Sequence, residues 1–195
     1  MVDFRIEVVV LPVSDVERAR EFYNRAGFKE QADHKGPGGF RIVHFTPPGS
    51  PTSIIIGSGI TEEAPGTSQS VLLVVDDLDV ARKELVGRGI EVSEVFHDAG
   101  GVFHHAGTTD RVPGFAPGRR SYSSFASFTD PDGNLFVLQE VTERHPGRIT
   151  QVVYRTVGDL EQALREAAET HGEPSGADWP ARYGAYLAEA AGVNG

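Results

Sequence analysis

Apolar and polar positions along the chain switch between two periods. Ile6 to Val13 (IEVVVLPV) is an apolar, β-branched run, which predicts a strand buried on both faces. Ser14-Asp15 then supplies a helix cap, with Glu17 suiting the positive end. Val16, Ala19, Phe22 and Tyr23 recur at helical spacing as one apolar stripe, and Gly27 closes the helix. Phe28 begins a second strand, His34 to Gly39 is a loop, Phe40 to Thr46 a third strand and Ser53 to Ile56 a fourth. Gly57 to Ser68 is a linker of Gly, Ser, Thr, Glu and Pro with a single Ile.

The same order then returns. Val71 to Val75 predicts a strand, Asp76-Asp77 a cap, and Leu78, Ala81, Leu85 and Val86 a helix closed by Gly89. Ile90 to Phe96 predicts another strand, and His97 to Arg120 a long loop. Ser121 to Val141 holds the final strand pair, Phe125 to Phe128 and Leu135 to Leu138. Asp130-Pro131-Asp132-Gly133-Asn134 joins them: Pro131 fixes φ and Gly133 is free to take φ > 0. At one constant offset Leu11 matches Leu73, Val13 matches Val75, Asp15 matches Asp77, Ala19 matches Ala81, Arg20 matches Arg82 and Gly27 matches Gly89. The chain is therefore an internal repeat of a strand–helix–strand–strand–strand unit.

These boundaries predict a first βαβββ module over 1–58, a linker over 59–69, a second module over 70–143 and a two-helix extension over 144–195. The fold class is α+β: tandem modules forming curved sheets with an open cup. In the extension, Arg144-His145-Pro146-Gly147-Arg148 reads as a linker and Asp159 to His171 as an amphipathic helix. Gly172 to Ala177 breaks that helix. Asp178-Trp179-Pro180 opens a second one, with Trp179, Tyr183, Tyr186 and Leu187 as its apolar face. The tail is expected to pack on the main domain or on a second subunit.

Composition narrows the function. The chain has 195 residues, 39% of them apolar, enough for a sizeable core. A net charge of −10 argues against nucleic acid as a partner. Without cysteine there is no disulfide, thiolate or sulfur-held zinc chemistry. Met1 to Arg5 lacks the order of a signal peptide, and no apolar run approaches a membrane span. A cytoplasmic protein free of membrane is expected.

Glu140 ends the apolar run Leu135 to Leu138, and a buried charge there needs a partner. Burial among Phe136 and Leu138 is expected to lift its pKa toward neutrality, making it a general base, with His104 or His105 as acid or orienting partner. His44, on a strand, reads either as an ordinary strand histidine or as a ligand contact. The long loop carries His104, His105, Arg111, Arg119 and Arg120 in an otherwise acidic chain. That reversal suits an anionic or polyoxygenated ligand. Arg111 and Arg120 join His44, Phe136 and Leu138 as expected ligand contacts. Read as a solvated loop, the same segment pairs with acidic neighbours instead.

Leu11-Pro12-Val13-Ser14-Asp15-Val16-Glu17-Arg18-Ala19, Phe22-Tyr23 and Asp130-Pro131-Asp132-Gly133-Asn134 together resemble the vicinal oxygen chelate superfamily. That group contains glyoxalases, bleomycin-resistance proteins and extradiol dioxygenases. The resemblance spans about Ile6 to Val141. It implies a ligand held in a sheet-lined cup and, in the metal enzymes, ligands from the first and fourth strands of each module. Here the first-strand positions are Val8 and Ser70, and the first module's fourth-strand position is Gly57 or Ser58. Only Glu140 matches. One carboxylate does not hold a divalent cation tightly, so no cofactor is expected; a divalent metal, if bound, would use Glu140. The resemblance implies either an enzyme of glyoxalase-like lyase, isomerase or dioxygenase type acting on a small oxygenated metabolite, or a sequestering protein without catalysis. A homodimer is expected in the second case, with a cationic or aromatic ligand favoured by the acidic balance.

Overall fold

A computed structural model describes residues 6–101, 103–144, 157–172 and 179–190. Met1 to Arg5, the linker residues His145 to Arg148, the break from Glu173 to Ala177 and the cap Asp178 lie outside the described residues. The chain forms two compact units, Met1–Thr142 and Glu143–Gly195.

The first unit is α+β, with two open sheets. In the first, β1 (Val8–Val10), β2 (Lys29–Lys35), β3 (Arg41–Thr46) and β4 (Ser53–Ser58) lie in the order β1-β4-β3-β2. In the second, β5 (Val71–Val75), β6 (Phe96–Asp98), β7 (Arg111–Pro113), β8 (Phe125–Thr129) and β9 (Leu135–Glu140) lie in the order β5-β9-β8-β6-β7. The repeat survives in the pairing, since the first strand of each half runs parallel to the last, β1 on β4 and β5 on β9. Helices α1 (Val16–Ala26) and α2 (Leu78–Gly87) follow the first strands. Asp15 caps α1 by accepting the Glu17 and Arg18 amides, and Asp77 caps α2 by accepting that of Val80. Each cap is worth about 1 kcal/mol. Gly27 closes α1 at φ 91°, a conformation costly for any residue with a Cβ.

Three expectations are corrected. β1 covers only Val8–Val10 and is an edge strand, so it is not buried on both faces, and Val10 is exposed. Ile90 to Phe96 is not a strand; only Phe96 joins β6. The reason lies at Ser93: its hydroxyl accepts the Ser127 amide, while its carbonyl is taken by Arg82 Nε at 2.8 Å. A side chain thus occupies a place in the ladder, and regular pairing fails there. The long loop also has structure of its own, namely β7 and a single 3-10 turn over Pro117–Arg119.

The two halves share one core. Leu11, Ala19, Phe22, Tyr23, Val43, Phe45, Ile54 and Ile56 of the first half cluster with Leu78, Ala126, Phe128, Phe136 and Leu138 of the second. Tyr23 carries the junction, its ring lying 5.7 Å from Phe28, 5.5 Å from Phe45 and 6.0 Å from Phe136. Each aromatic buried this way contributes roughly 1.5–3 kcal/mol.

The Asp130–Asn134 turn locks this junction. Asp130 Oδ1 accepts the amides of Asp132, Gly133 and Asn134, and Oδ2 accepts the buried Tyr23 hydroxyl at 2.7 Å. Asn134 Nδ2 donates to Pro12 O at 2.9 Å, and its Oδ1 accepts the Ser68 amide. Ser14 and Arg18 both donate to Asp132. The linker passes so close that a Cβ on Gly66 would meet Asp132 O at 2.0 Å.

The second unit holds α3 (Val157–His171) and α4 (Trp179–Ala190). Ala167 and Tyr183 are buried, and the Tyr183 hydroxyl donates to Gly172 O at 3.0 Å. The Trp179 and Tyr183 rings meet edge to face at 5.6 Å.

Candidate functional site

Register decides which face of the second sheet each candidate occupies. Val71, Leu73 and Val75 lie opposite Phe136, Leu138 and Glu140, and this face packs into the helix-covered core. Leu72 and Val74 lie opposite Val137 and Gln139 on the other face. Phe125 is level with Gln139, and Phe96 with Phe125, so they share that second face. Phe96, Phe125, Val137 and Leu135 form a small apolar cluster there. Leu72 and Val74 are each 38% exposed, so this face is open along β5, while Phe96, Phe125, Val137 and Gln139 on the same face are buried. In the first sheet the corresponding face carries Val8, Val10, Ser53, Ile55 and His44, with Val10 39% exposed.

Phe136 and Leu138 are therefore core residues packed among the helices, not ligand contacts. Glu140 shares their face. It is 1% exposed and its partners are structural. Leu78 N, at the start of α2, donates to Oε1 at 3.0 Å. Arg119 clasps it with two prongs, Nε to Oε2 at 2.9 Å and Nη2 to Oε1 at 2.7 Å. Burial pushes this carboxyl up, but the Arg119 guanidinium and the Leu78 amide outweigh it and hold Glu140 below the usual carboxylate range. The expected lift toward neutrality is thus reversed. Arg119, named in sequence only as one of the loop's basic residues, is the partner Glu140 needed. Its own pKa is raised, first by that bond, and it stacks on Phe115 at 4.2 Å.

Parity separates Glu140 from the histidines. Asp98, two residues beyond Phe96, lies on the open face and holds the loop above it. Its Oδ1 accepts the Gly100 amide at 2.7 Å, and its Oδ2 accepts the His105 amide at 3.0 Å and His105 Nδ1–H at 2.6 Å. Asp110 approaches the same ring nitrogen at 3.7 Å. The hydrogen bond to Asp98 raises the His105 pKa, and the Asp98 carboxyl is held down in return. His104 turns the other way, its ring edge-on to Phe125 at 5.2 Å and stacked under Phe103 at 4.7 Å. Arg111 lies over the Phe96 ring at 3.9 Å. The structure so brings His104, His105 and Arg111 together at one end of the open face. Arg120 is exposed, its Nη2 beside Gly101. His44 sits on the first sheet, level with Ile55, and its Nε2 is enclosed without a partner. Asp98 was missed in sequence, where the only available signal was its place two residues after an apolar Phe96.

These donors do not fit a metal. Val8 offers none. A Cβ at Gly57 would meet Arg41 O at 2.0 Å, so no side chain fits there. Glu140 faces the core. Leu135, Val137 and Gln139, the residues of β9 that face the open side, include neither carboxylate nor imidazole. Among the described residues no group of three or more His, Cys, Asp or Glu is placed to hold an ion. A separate groove of about 620 Å³ lies along α2, lined by Arg82, Val86, Ile90 and Val92, and contains none of the candidate residues.

Paired modules, parallel closure of first strand on last and the Asp130–Asn134 lock match a known pattern. Residues 5–138 fit the Glyoxalase/Bleomycin resistance protein/Dioxygenase superfamily, and the chain belongs to it. Among solved structures it is similar to TnmS3, an antibiotic binding protein from Streptomyces sp. CB03234, at 29% identity and a TM-score of 0.54, covering 72% of this chain and 98% of that one. A glyoxalase/bleomycin resistance protein from the same Streptomyces sp. CB03234 matches at 29% identity and a TM-score of 0.51, over 70% and 100% of the two chains. A superfamily member from Sphaerobacter thermophilus DSM 20745 matches at 28% identity and a TM-score of 0.52, over 71% and 98%. No curated protein sequence matches. No helix among the described residues is long and apolar enough to cross a membrane.

Proposed function

We propose that this protein sequesters a small aromatic molecule on the open faces of its sheets without a metal and without Glu140 as a base. One observation carries the reading. At the superfamily's ligand positions stand Val8, Ser70, and Gly57 or Ser58, while Glu140 is turned into the core and neutralised by Arg119. The exposed part of these faces, Val10, Leu72 and Val74, is instead apolar, with Phe96 and Phe125 buried beside it, and suits an organic ligand. The likeness to an antibiotic-binding protein supports the same reading. The exposed Val10, Leu72 and Val74 favour a homodimer in which open faces enclose the ligand. A thermal-shift screen of aromatic antibiotics against the full chain tests this. Binding hits that are recovered chemically unchanged, and that Leu72→Glu weakens, support it; a hit converted to product, or one indifferent to Leu72→Glu, overturns it.

A second reading has its own observation. The Asp98–His105 pair holds one imidazole nitrogen of a half-exposed ring, an arrangement suited to proton transfer. Turnover of a bound ligand that His105→Gln abolishes while binding persists selects this reading over sequestration.

A further inference from the structure

Phe96 and Phe125 lie on the open face yet are closed to solvent, at 4% and 0% exposure. Their cover is the connection between β6 and β7. Phe103 meets the Phe125 ring edge to face at 5.8 Å, and His104 meets Phe125 at 5.2 Å and Phe96 at 6.4 Å. The cover is thin: Ala99 to Gly101, Phe103, and His105 to Asp110 are all exposed. Gly101 and Gly107, at φ 71° and 64°, stand on either side of Phe103 and His104 and offer turning points.

One carboxylate holds this cover down. Asp98 accepts the Gly100 amide on Oδ1 and both the amide and Nδ1–H of His105 on Oδ2. Asp110 stands 3.7 Å from the same Nδ1. At the base of the connection the Ala99 amide donates to Asp110 O at 2.9 Å and the Gly101 amide to Asp98 O at 3.0 Å. The His105 side chain is 54% exposed, so its ring trades protons with water. Protonated, it adds charge attraction to both carboxylates; neutral, it keeps only the hydrogen bond to Asp98. Around it, Arg111 lies on Phe96, Arg120 reaches Gly101, and His97 Nδ1 bonds Gly114 O. The arginines keep their charge at every working pH. A proton on the enclosed His104 Nε2 meets no acceptor and favours opening, the opposite sign to His105.

We propose that the connection between β6 and β7 is a pH-sensitive flap over the aromatic floor of the second sheet, latched by His105 on Asp98. It stays shut while His105 carries its second proton and opens more often once that proton leaves. Opening uncovers Phe96 and Phe125 and extends the apolar face that begins at Leu72 and Val74. The inference concerns the flap alone and stands apart from whether this face sequesters a ligand or converts one.

Amide hydrogen exchange of the full chain between about pH 5.5 and 8.5, corrected for the intrinsic pH dependence of exchange, reads the opening at Gly100 and His105. The opening constant is expected to rise at least about threefold with pH, with its midpoint at the titration of His105 followed by imidazole NMR. The Val137 amide in β9 should hold steady. A neutral soluble nitroxide should broaden the Phe125 ring protons more at the alkaline end than at the acidic end. His105→Gln should flatten both responses, and Asp98→Asn should leave the flap open at every pH. Opening that ignores pH, that falls as pH rises, or that keeps its response in His105→Gln overturns the latch. A Phe125 ring no more accessible at the alkaline end overturns the flap as a cover. The sign of the response in the unaltered chain needs no variant, so a misfolded substitution does not spoil the test.

Discussion

Arg119 grips Glu140 by two hydrogen bonds of 2.9 and 2.7 Å, on the side of β9 that faces the helices. This pair fastens the loop after β7 to the start of α2. Glu140→Gln keeps the shape and loses the charge. It should lower stability by about 1–3 kcal/mol in urea unfolding. Affinity for any open-face ligand should stay within about twofold, because the side chain lies on the other face. A large loss of binding with stability unchanged would contradict this placement.

The same pair sets an acid limit. The folded pKa of Glu140 lies below its unfolded value, so the stability it contributes is present above the ordinary carboxylate range. That contribution is lost as pH falls through the folded value. Unfolding free energy measured from pH 6 downward should therefore fall less steeply for Glu140→Gln than for the unaltered protein.

His105 behaves with the opposite sign. Its pKa is raised by Asp98, so the pair contributes stability that is full below the ordinary histidine value and lost as pH rises through the folded one. In an NMR titration His105 should protonate above about 6.5, and Asp98→Asn should move it down toward that value. The variant also breaks the bonds to Gly100 and His105, so proteolysis between Ala99 and Asp110 should speed up.

Tyr23→Phe removes the hydroxyl that reaches Asp130. Burial and the neighbouring carboxylate push this phenol far above its ordinary range, so at any working pH it is a neutral donor. The loss should cost about 1–2 kcal/mol, and Asp130 keeps its other partners. Calorimetry should show the transition of the Met1–Thr142 unit with a midpoint lower by a few degrees.

Leu72→Glu with Val74→Glu places charge on the open face at an edge strand. Both sites are partly exposed, so the fold should survive. Light scattering should report a dimer for the unaltered chain and a monomer for the double variant.

Much of the fold is legible in the sequence because capping and turn chemistry are local. Asp15, Gly27, Asp77 and the Asp130–Asn134 turn act within a few residues of themselves, and the repeat doubles each signal. The site is less legible because β9 is apolar on both faces. Leu135-Phe136-Val137-Leu138 has no alternation, so nothing local says which side Glu140 takes; the position of α2 decides it. Arg119 and Asp98 were hidden for a related reason. Each finds its partner through a loop whose path depends on β7, a strand of only three residues.

The Asp130–Asn134 lock also bears on how the molecule comes to exist. Tyr23, Pro12 and Ser14 find partners more than a hundred residues downstream, in the last hairpin of the unit. Helix α1 spends part of its apolar stripe on the sheet of the other half. Neither copy of the repeat is therefore self-sufficient. Residues 1–66 alone should remain unfolded, and during synthesis the first half must wait, its aromatic stripe uncovered, until the second has emerged. The repeat thus joins two similar halves, each of which needs the other to cover its aromatic stripe.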